Sequence, residues 1–460
     1  MFIAAERDVE RHSAELKKEL RLFDLIWMQI LNIVGLSWVG YAGRLGSSHV
    51  MYWIPAVVLF YIPSGIVVTH LLREMPLEGG IYQWAKLRFG ALVGFLVAWN
   101  ILIYQVLLAS RIGLITADNI GYALGARGAG LESNKVLILG ISVVVILGLM
   151  LVAWRGLGIG KWINNAGGFA LMALFVGMIV VAIPRWLTGR WVTAPAALTF
   201  PAVTLLNVNI FAKLGFGALA GFDGVVVFAG ECRDANVIKA IRRSMWVTAP
   251  AIAGMFILGT AAVLAFVKPD AMDLVSPITQ ALTLGAPPLA VISTALLVWA
   301  AIAGACLGFN LTIRLPMVAG WDHLLPGWFS RLHPKYKTPT GSVVFLGVLT
   351  FIFAIGASAG SGNQEAFQLL DNAAGIVFAL AYMVMFAIPL VARGEKAPLG
   401  VRIAAVSGGL MTLLYLVLAV FPVIDVKNPG IFTAKLVAGI VVLQVLAVGY
   451  FRNAVRAGKA

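Results

Sequence analysis

Glycines 35, 40, 43 and 46 punctuate the stretch NIVGLSWVGYAGRLG (Asn32 to Gly46), with Ser37 and Trp38 set between the first two. The surrounding run is apolar enough to cross a bilayer, so the chemistry on offer is non-covalent. A helix interrupted at membrane depth frees backbone N–H and C=O groups that hydrocarbon cannot satisfy, and such a break survives only where it lines a polar cavity. Five apolar runs later the pattern recurs in AKLGFGALAGFDGVVVFAGE (Ala212 to Glu231), with Gly215, Gly217, Gly221 and Gly224 in mid-run. One glycine alone serves helix packing just as well. Two clusters at matching places in two halves are the mark of an inverted-repeat transporter and of its binding site.

A half-helix N-terminus offers N–H donors and about half a positive charge, while the facing C-terminus offers carbonyls and negative potential. Two such pairs suit both ends of a zwitterion, so an α-amino acid is the default solute, with other small amines or acids left open. The residues expected to bind it are Val34, Gly35, Ser37, Trp38 and Gly40 at the first break. Phe216, Gly217, Ala220, Gly221, Phe222 and Asp223 are expected at the second, and Tyr104 on the third run. Asn100 and Gln105 share its depth; Gln105, like Tyr104, is a candidate to line the site, and interhelical hydrogen bonding alone would also explain them.

Ionisable groups within apolar runs cost roughly 2.5–3.5 kcal/mol each on insertion scales and mark functional positions. Lys213 precedes the second break and Asp371 lies two turns into the tenth run. The two are expected to pair as a gate over the solute, with Arg44 at the end of the first broken helix. Asp223 is placed to cap the helix after the second break, or to accept the solute's ammonium. Arg111 is expected to snorkel to the membrane surface, and Glu231 to pair with Arg233.

The elements that must position these groups follow from composition. Of the 460 residues 61% are hydrophobic and 12% charged, with mean hydropathy +0.94, against about 45–50% and 25% in soluble domains. The fold class is therefore an all-α polytopic membrane protein. Runs near the length of about 20 residues that a span needs number about twelve: 22–46, 50–72, 91–117, 135–154, 162–184, 203–231, 246–267, 287–315, 341–357, 366–392, 401–422 and 431–451. With the N-terminus inside, 24 of the 34 Lys and Arg fall in inner loops and tails and 8 in outer loops. This is the positive-inside bias. It explains the net charge of +14 without nucleic acid and places both termini in the cytoplasm, in the plasma (inner) membrane. The charged N-terminal tail leads into a full-length span and does not read as a cleavable signal. Two cysteines and five scattered histidines give no metal set or cofactor, and no nucleophile–base pair suggests an enzyme. No Gly-x-x-x-x-Gly-Lys loop supports an ATP-driven pump. A channel, the rival from another class, would want a continuous polar lining.

The segment LLREMPLEGGIYQWAKLRFG (Leu71 to Gly90) carries Pro76, Gly79, Gly80, Tyr82, Trp84 and Gly90. RLPMVAGWDHLLPGWFSRLHPKYKTPTGS carries Arg314, Asp322, Leu325, Pro326, His333, Pro334, Lys335, Thr338 and Pro339. Through these, and through GFDGVVVFAGECRD, the chain from about Leu16 to Arg393 resembles the amino acid–polyamine–organocation (APC) superfamily of transporters. The resemblance implies a five-plus-five inverted repeat, the LeuT-like fold, with helices 1 and 6 broken. Its parts would be a tail over 1–21, repeats over 22–184 and 203–393, two further helices over 401–451, and a tail over 452–460. It implies an amino acid permease: a secondary transporter working by alternating access. A polyamine or organic-cation carrier of the same fold is the alternative. The first break departs from the family's Gly-Ser/Ala-Gly-Ile by placing Ser37 and Trp38 there, and Ala235 replaces a proline. Sodium-coupled members place hydroxyls on helix 8, where AAIAGACLG (Ala300 to Gly308) has none. Helix 5 lacks the lysine of some sodium-independent members. Exchange or proton coupling is the expectation, with a small-molecule solute and the lipid bilayer as partners and the oligomeric state open.

Overall fold

The structure is a computed structural model, and the residues it describes are 17–75, 79–128, 130–200, 203–234, 236–321, 325–358, 363–391, 396–423, 426 and 428–456. Pro76, Ala235, Asp322, Arg393, Lys427, the tail before residue 17 and the last four residues lie outside them. Among the described residues the chain is helical, with two isolated bridges, Leu20–Cys232 and Leu332–Pro339, as its extended pairings.

Helix occupies each of the twelve apolar stretches. Nine helices are long and apolar enough to cross a membrane among the described residues, namely α3 (Gly46–Glu74), α5 (Ala91–Gly128), α6 (Lys135–Arg155), α7 (Leu157–Thr188), α9 (Val237–Leu264), α11 (Pro287–Ala319), α13 (Glu365–Leu390), α14 (Leu399–Leu418) and α15 (Pro429–Arg456). A tenth is the bent pair α1 (Leu22–Ile33) and α2 (Ser37–Gly43), at 48° to each other. The remaining two of the expected twelve are shorter. The sixth stretch is split into α8 (Leu205–Gly217) and a 3₁₀ helix, Gly224–Glu231, and the ninth is α12 (Thr340–Gly356). Short connecting helices α4 (Ile81–Phe89) and α10 (Pro277–Gly285) complete the set.

Local chemistry starts these helices. Asn134, Thr204 and Asn236 each accept a hydrogen bond from the amide three residues on, opening α6, α8 and α9, as small polar N-caps do. Val34, in extended conformation (φ −78, ψ 96), ends α1. Close packing relies on small residues where no hydrophobic drive separates helix from lipid. A Cβ on Gly167 of α7 would lie 2.2 Å from the Ala303 Cβ of α11. Polar ties cross the interior: Gln29 of α1 donates to Ser244 of α9 at 2.9 Å and accepts from Thr248, and Asn100 exchanges bonds with Gln444.

Candidate functional site

The two breaks face one another. Asn32, in the last turn of α1, donates to the Gly221 carbonyl at 3.0 Å. Gly221 has φ +139, and its amide donates to the Tyr382 hydroxyl at 2.8 Å. The Trp38 indole lies across both breaks, where a Cβ on Gly35 would meet it at 2.8 Å and one on Gly217 at 2.6 Å. The bulky residue that departs from the family pattern is thus accommodated by two glycines. The signature turn at Gly80 (φ +50) rests against Val227, just after the second break.

Between the breaks lies a cavity of about 210 Å³. Of the residues expected from sequence, Val34, Gly35, Ser37, Trp38, Tyr104, Phe216, Gly217 and Ala220 line it, as does Asp371. Gln105 lines it too, and Tyr104 is stacked on Phe378 at 4.1 Å. The amides of Gly35 and Leu36 make no hydrogen bond among the described residues, and neither the Val34 nor the Ala220 carbonyl accepts one. One wall therefore offers free donors beside free acceptors, and Ile112, Leu171, Leu297 and Phe378 supply an apolar wall.

Gly40, Gly221, Phe222 and Asp223 do not line the cavity. Gly40 packs on the Asp273 backbone, where a Cβ would sit 2.8 Å from the carbonyl oxygen. Gly221 is covered by Asn32 and Ile33, and Phe222 turns away to stack on Tyr61 at 4.6 Å. Asp223 is buried and accepts from the Tyr382 hydroxyl. It makes no cap, because its own backbone is already helical (φ −66, ψ −25), which turns the carboxylate from the following amides. Tyr382 therefore joins the Gly221 amide to the Asp223 carboxylate and positions the second break. Tyr382→Phe removes one buried partner from each, a loss worth about 1–3 kcal/mol. We expect it to lower transport kcat/KM by roughly tenfold or more while folded yield stays at the wild-type level. Unaltered kinetics would show that the hydroxyl does not position the break.

The expected gate is wired differently. Asp371 pairs with Arg111, not with Lys213. Arg111 sits at a kink in α5 (φ −88, ψ 2) that turns it inward, over the Phe367 ring at 4.6 Å, so it lines the cavity and does not snorkel. Lys213, fully buried, donates instead to the side-chain amide of Asn372, the next residue along α13. Arg44 joins neither pair and, like Lys213, stands outside the cavity lining.

At the end of the bundle bearing the N-terminal segment, Glu231 pairs with Arg314, both buried, and not with Arg233. Arg233 reaches outward to Glu19 at 3.7 Å and to the Lys18 carbonyl. The amides of Glu19 and Leu20 both donate to the Glu231 carbonyl, at 2.8 and 3.0 Å. Lys161 holds Glu19 from α7. On α11, Ala300, Ala301, Gly304 and Ala305 line the cavity, and Gly304 faces the Leu31 carbonyl without offering a hydroxyl.

Sequence reasoning did not single out Asn32, Tyr382 or Asn372. Asn32 carried a usable signal, a polar side chain in the last turn before a break. Tyr382 and Asn372 carried none, since only helix rotation turns them towards their partners.

The family model described as amino acid permease matches residues 20–446. An uncharacterized transporter of Legionella pneumophila is 24% identical over 451 residues, covering 92% of this chain and 95% of its own. The methylthioribose transporter of Bacillus subtilis is 23% identical over 364 residues, covering 73% and 74%. Among solved structures, MhsT in complex with L-phenylalanine has the same fold, with TM-score 0.56 at 15% identity, covering 88% of this chain and 99% of its own.

Proposed function

The chain belongs to the amino acid permease family, and on that premise we propose that it is a secondary transporter moving a small amino acid or related amine by alternating access. The observation that carries this reading is one cavity onto which both helix breaks open. The free amides of Gly35 and Leu36 suit a carboxylate, and the carbonyls of Val34 and Ala220 suit an ammonium. The apolar wall would receive the solute's side chain. A volume of about 210 Å³ is below the ~300–1,000 Å³ typical of sites for drug-sized ligands, which favours a small solute.

The charge bias puts both termini in the cytoplasm of a plasma-membrane protein. In this orientation α8 with its 3₁₀ continuation, and α12, complete twelve crossings, and residues 22–184 and 203–393 form the two inverted repeats. Glu231–Arg314, with the strand-like pairing of Leu20 on Cys232, closes the cytoplasmic end. Arg111–Asp371 stands across the outer route.

The test is uptake of labelled amino acids, polyamines and methylthioribose into proteoliposomes under imposed ion gradients. Saturable uptake of an amino acid is expected. Uptake of methylthioribose alone would keep the carrier and replace the solute, a reading the Bacillus relative favours. Because the α11 face opposite Leu31 has no hydroxyl ligand and sodium demands oxygen donors, replacing sodium with a large organic cation is expected to leave uptake unchanged. Loss of uptake would contradict sodium independence.

A further inference from the structure

Gln105 lines the cavity, and its side-chain amide makes no hydrogen bond among the described residues. It belongs to neither helix break. Ala109 and Ile112, one and two turns further along α5, share its helical face and line the cavity as apolar groups. On α11 the small residues Ala301, Gly304 and Ala305 line the same cavity. Gly308, a turn beyond Gly304, makes room for the amide. A Cβ there would lie 2.3 Å from Gln105 Oε1 and 3.1 Å from Nε2.

Both ends of an amino acid are already provided for at the breaks, by the Gly35 and Leu36 amides and the Val34 and Ala220 carbonyls. Other polar side chains of the lining are spent on one another or on neighbours: Thr279 donates to Asn119, and Ser276 to Asp118. The Gln105 amide is surplus to the α-amino and α-carboxyl groups. It offers a carbonyl acceptor beside two N–H donors. An apolar side chain closing over it would strip its water and leave donor and acceptor unpaired, which costs more than a hydrogen bond made would gain.

We propose that Gln105 selects the solute by its side chain, and that this side chain ends in a neutral hydrogen-bonding group, a carboxamide or a hydroxyl. Its stem lies along Ala109 and Ile112, and its polar end meets the Gln105 amide. A carboxamide fits best, because it presents the matching acceptor and donor side by side. Gly308 acts as a positioning residue that keeps the amide's seat open. This assignment rests on the carrier reading of the cavity and names the solute class within it.

The experiment measures initial uptake of labelled glutamine, asparagine, serine, threonine and leucine into proteoliposomes bearing wild type, Gln105→Leu or Gly308→Ala. Wild type is expected to favour its best polar amino acid over leucine by roughly tenfold or more in kcat/KM. Each variant is expected to cut that ratio by roughly tenfold or more, through loss of polar uptake with leucine uptake unchanged or raised. Gly308→Ala is the second arm because the nearest neighbours of its Cβ all belong to the Gln105 amide. It displaces the far end of one flexible side chain and leaves the helix intact should Gln105→Leu fail to fold. Leucine taken up as well as the polar amino acids by wild type, or a folded variant that keeps the wild-type ratio, would overturn the selection and leave the carrier standing. Uptake of no amino acid at all would overturn the amino acid reading of the cavity and this assignment with it.

Discussion

Gly221→Leu is expected to abolish solute uptake, to roughly a hundredth of the wild-type rate or less, in protein that still purifies as a folded species. At φ +139 a side chain is strained whatever the space around it, at a cost of about 1–3 kcal/mol. Space is lacking as well. A Cβ would sit 2.8 Å from Asn32 Nδ2 and 2.9 Å from Ile33 Cγ1, so the last turn of α1 must shift. That turn carries the Asn32 bond to Gly221 and leads into the Gly35 and Leu36 amides. The damage therefore falls on both breaks at once, while the long helices that hold the bundle are untouched. Gly177→Leu is the control: nothing lies within 4 Å of its Cβ position, and uptake should be normal. Wild-type uptake by a folded Gly221→Leu protein would remove the second break from the transport site.

Arg314→Met should produce the largest loss of stability. Its guanidinium pairs with the buried Glu231, donates to the Asn310 carbonyl and lies over the Phe228 ring at 4.6 Å. Removing one member of a buried pair leaves the other charged and desolvated, at about 3–5 kcal/mol. Replacing both members with apolar groups avoids that penalty. Thermal unfolding should thus rank wild type above Glu231→Leu/Arg314→Met, and the double variant well above Arg314→Met alone. If the double variant were as unstable as the sum of the two single changes, the pair would not be acting as a unit. The same ranking bears on transport, because the Glu231 carbonyl also receives the Glu19 and Leu20 amides that fasten the N-terminal segment.

Much of this architecture was legible in the residues themselves. Both helix breaks announced themselves through glycine, since the backbone there must turn and approach closely. The apolar runs announced the helices through length alone: α12 matches its run, while α8 proved shorter than its run because the backbone breaks after Gly217. The wiring between helices was not legible. Arg111 and Asp371 are 260 residues apart, and Tyr382 and Asp223 are 159 apart. Which side chain faces which depends on rotation about each helix, fixed by packing across the whole bundle. Thus Asp371 was given the wrong cation. Lys213, one residue out of register with it, found an amide instead. Asp223 failed as a cap because the second half of its helix is 3₁₀ and begins already helical at that residue.

The most direct test of the central claim is solute counterflow. Proteoliposomes are loaded with an excess of the unlabelled amino acid that the uptake panel identifies, diluted into a trace of the labelled form, and sampled over time. A carrier whose one central site is exposed alternately to each side should accumulate label transiently above the outside concentration and then release it. Label that only equilibrates, at a rate indifferent to the internal load, would contradict alternating access and point to a pore.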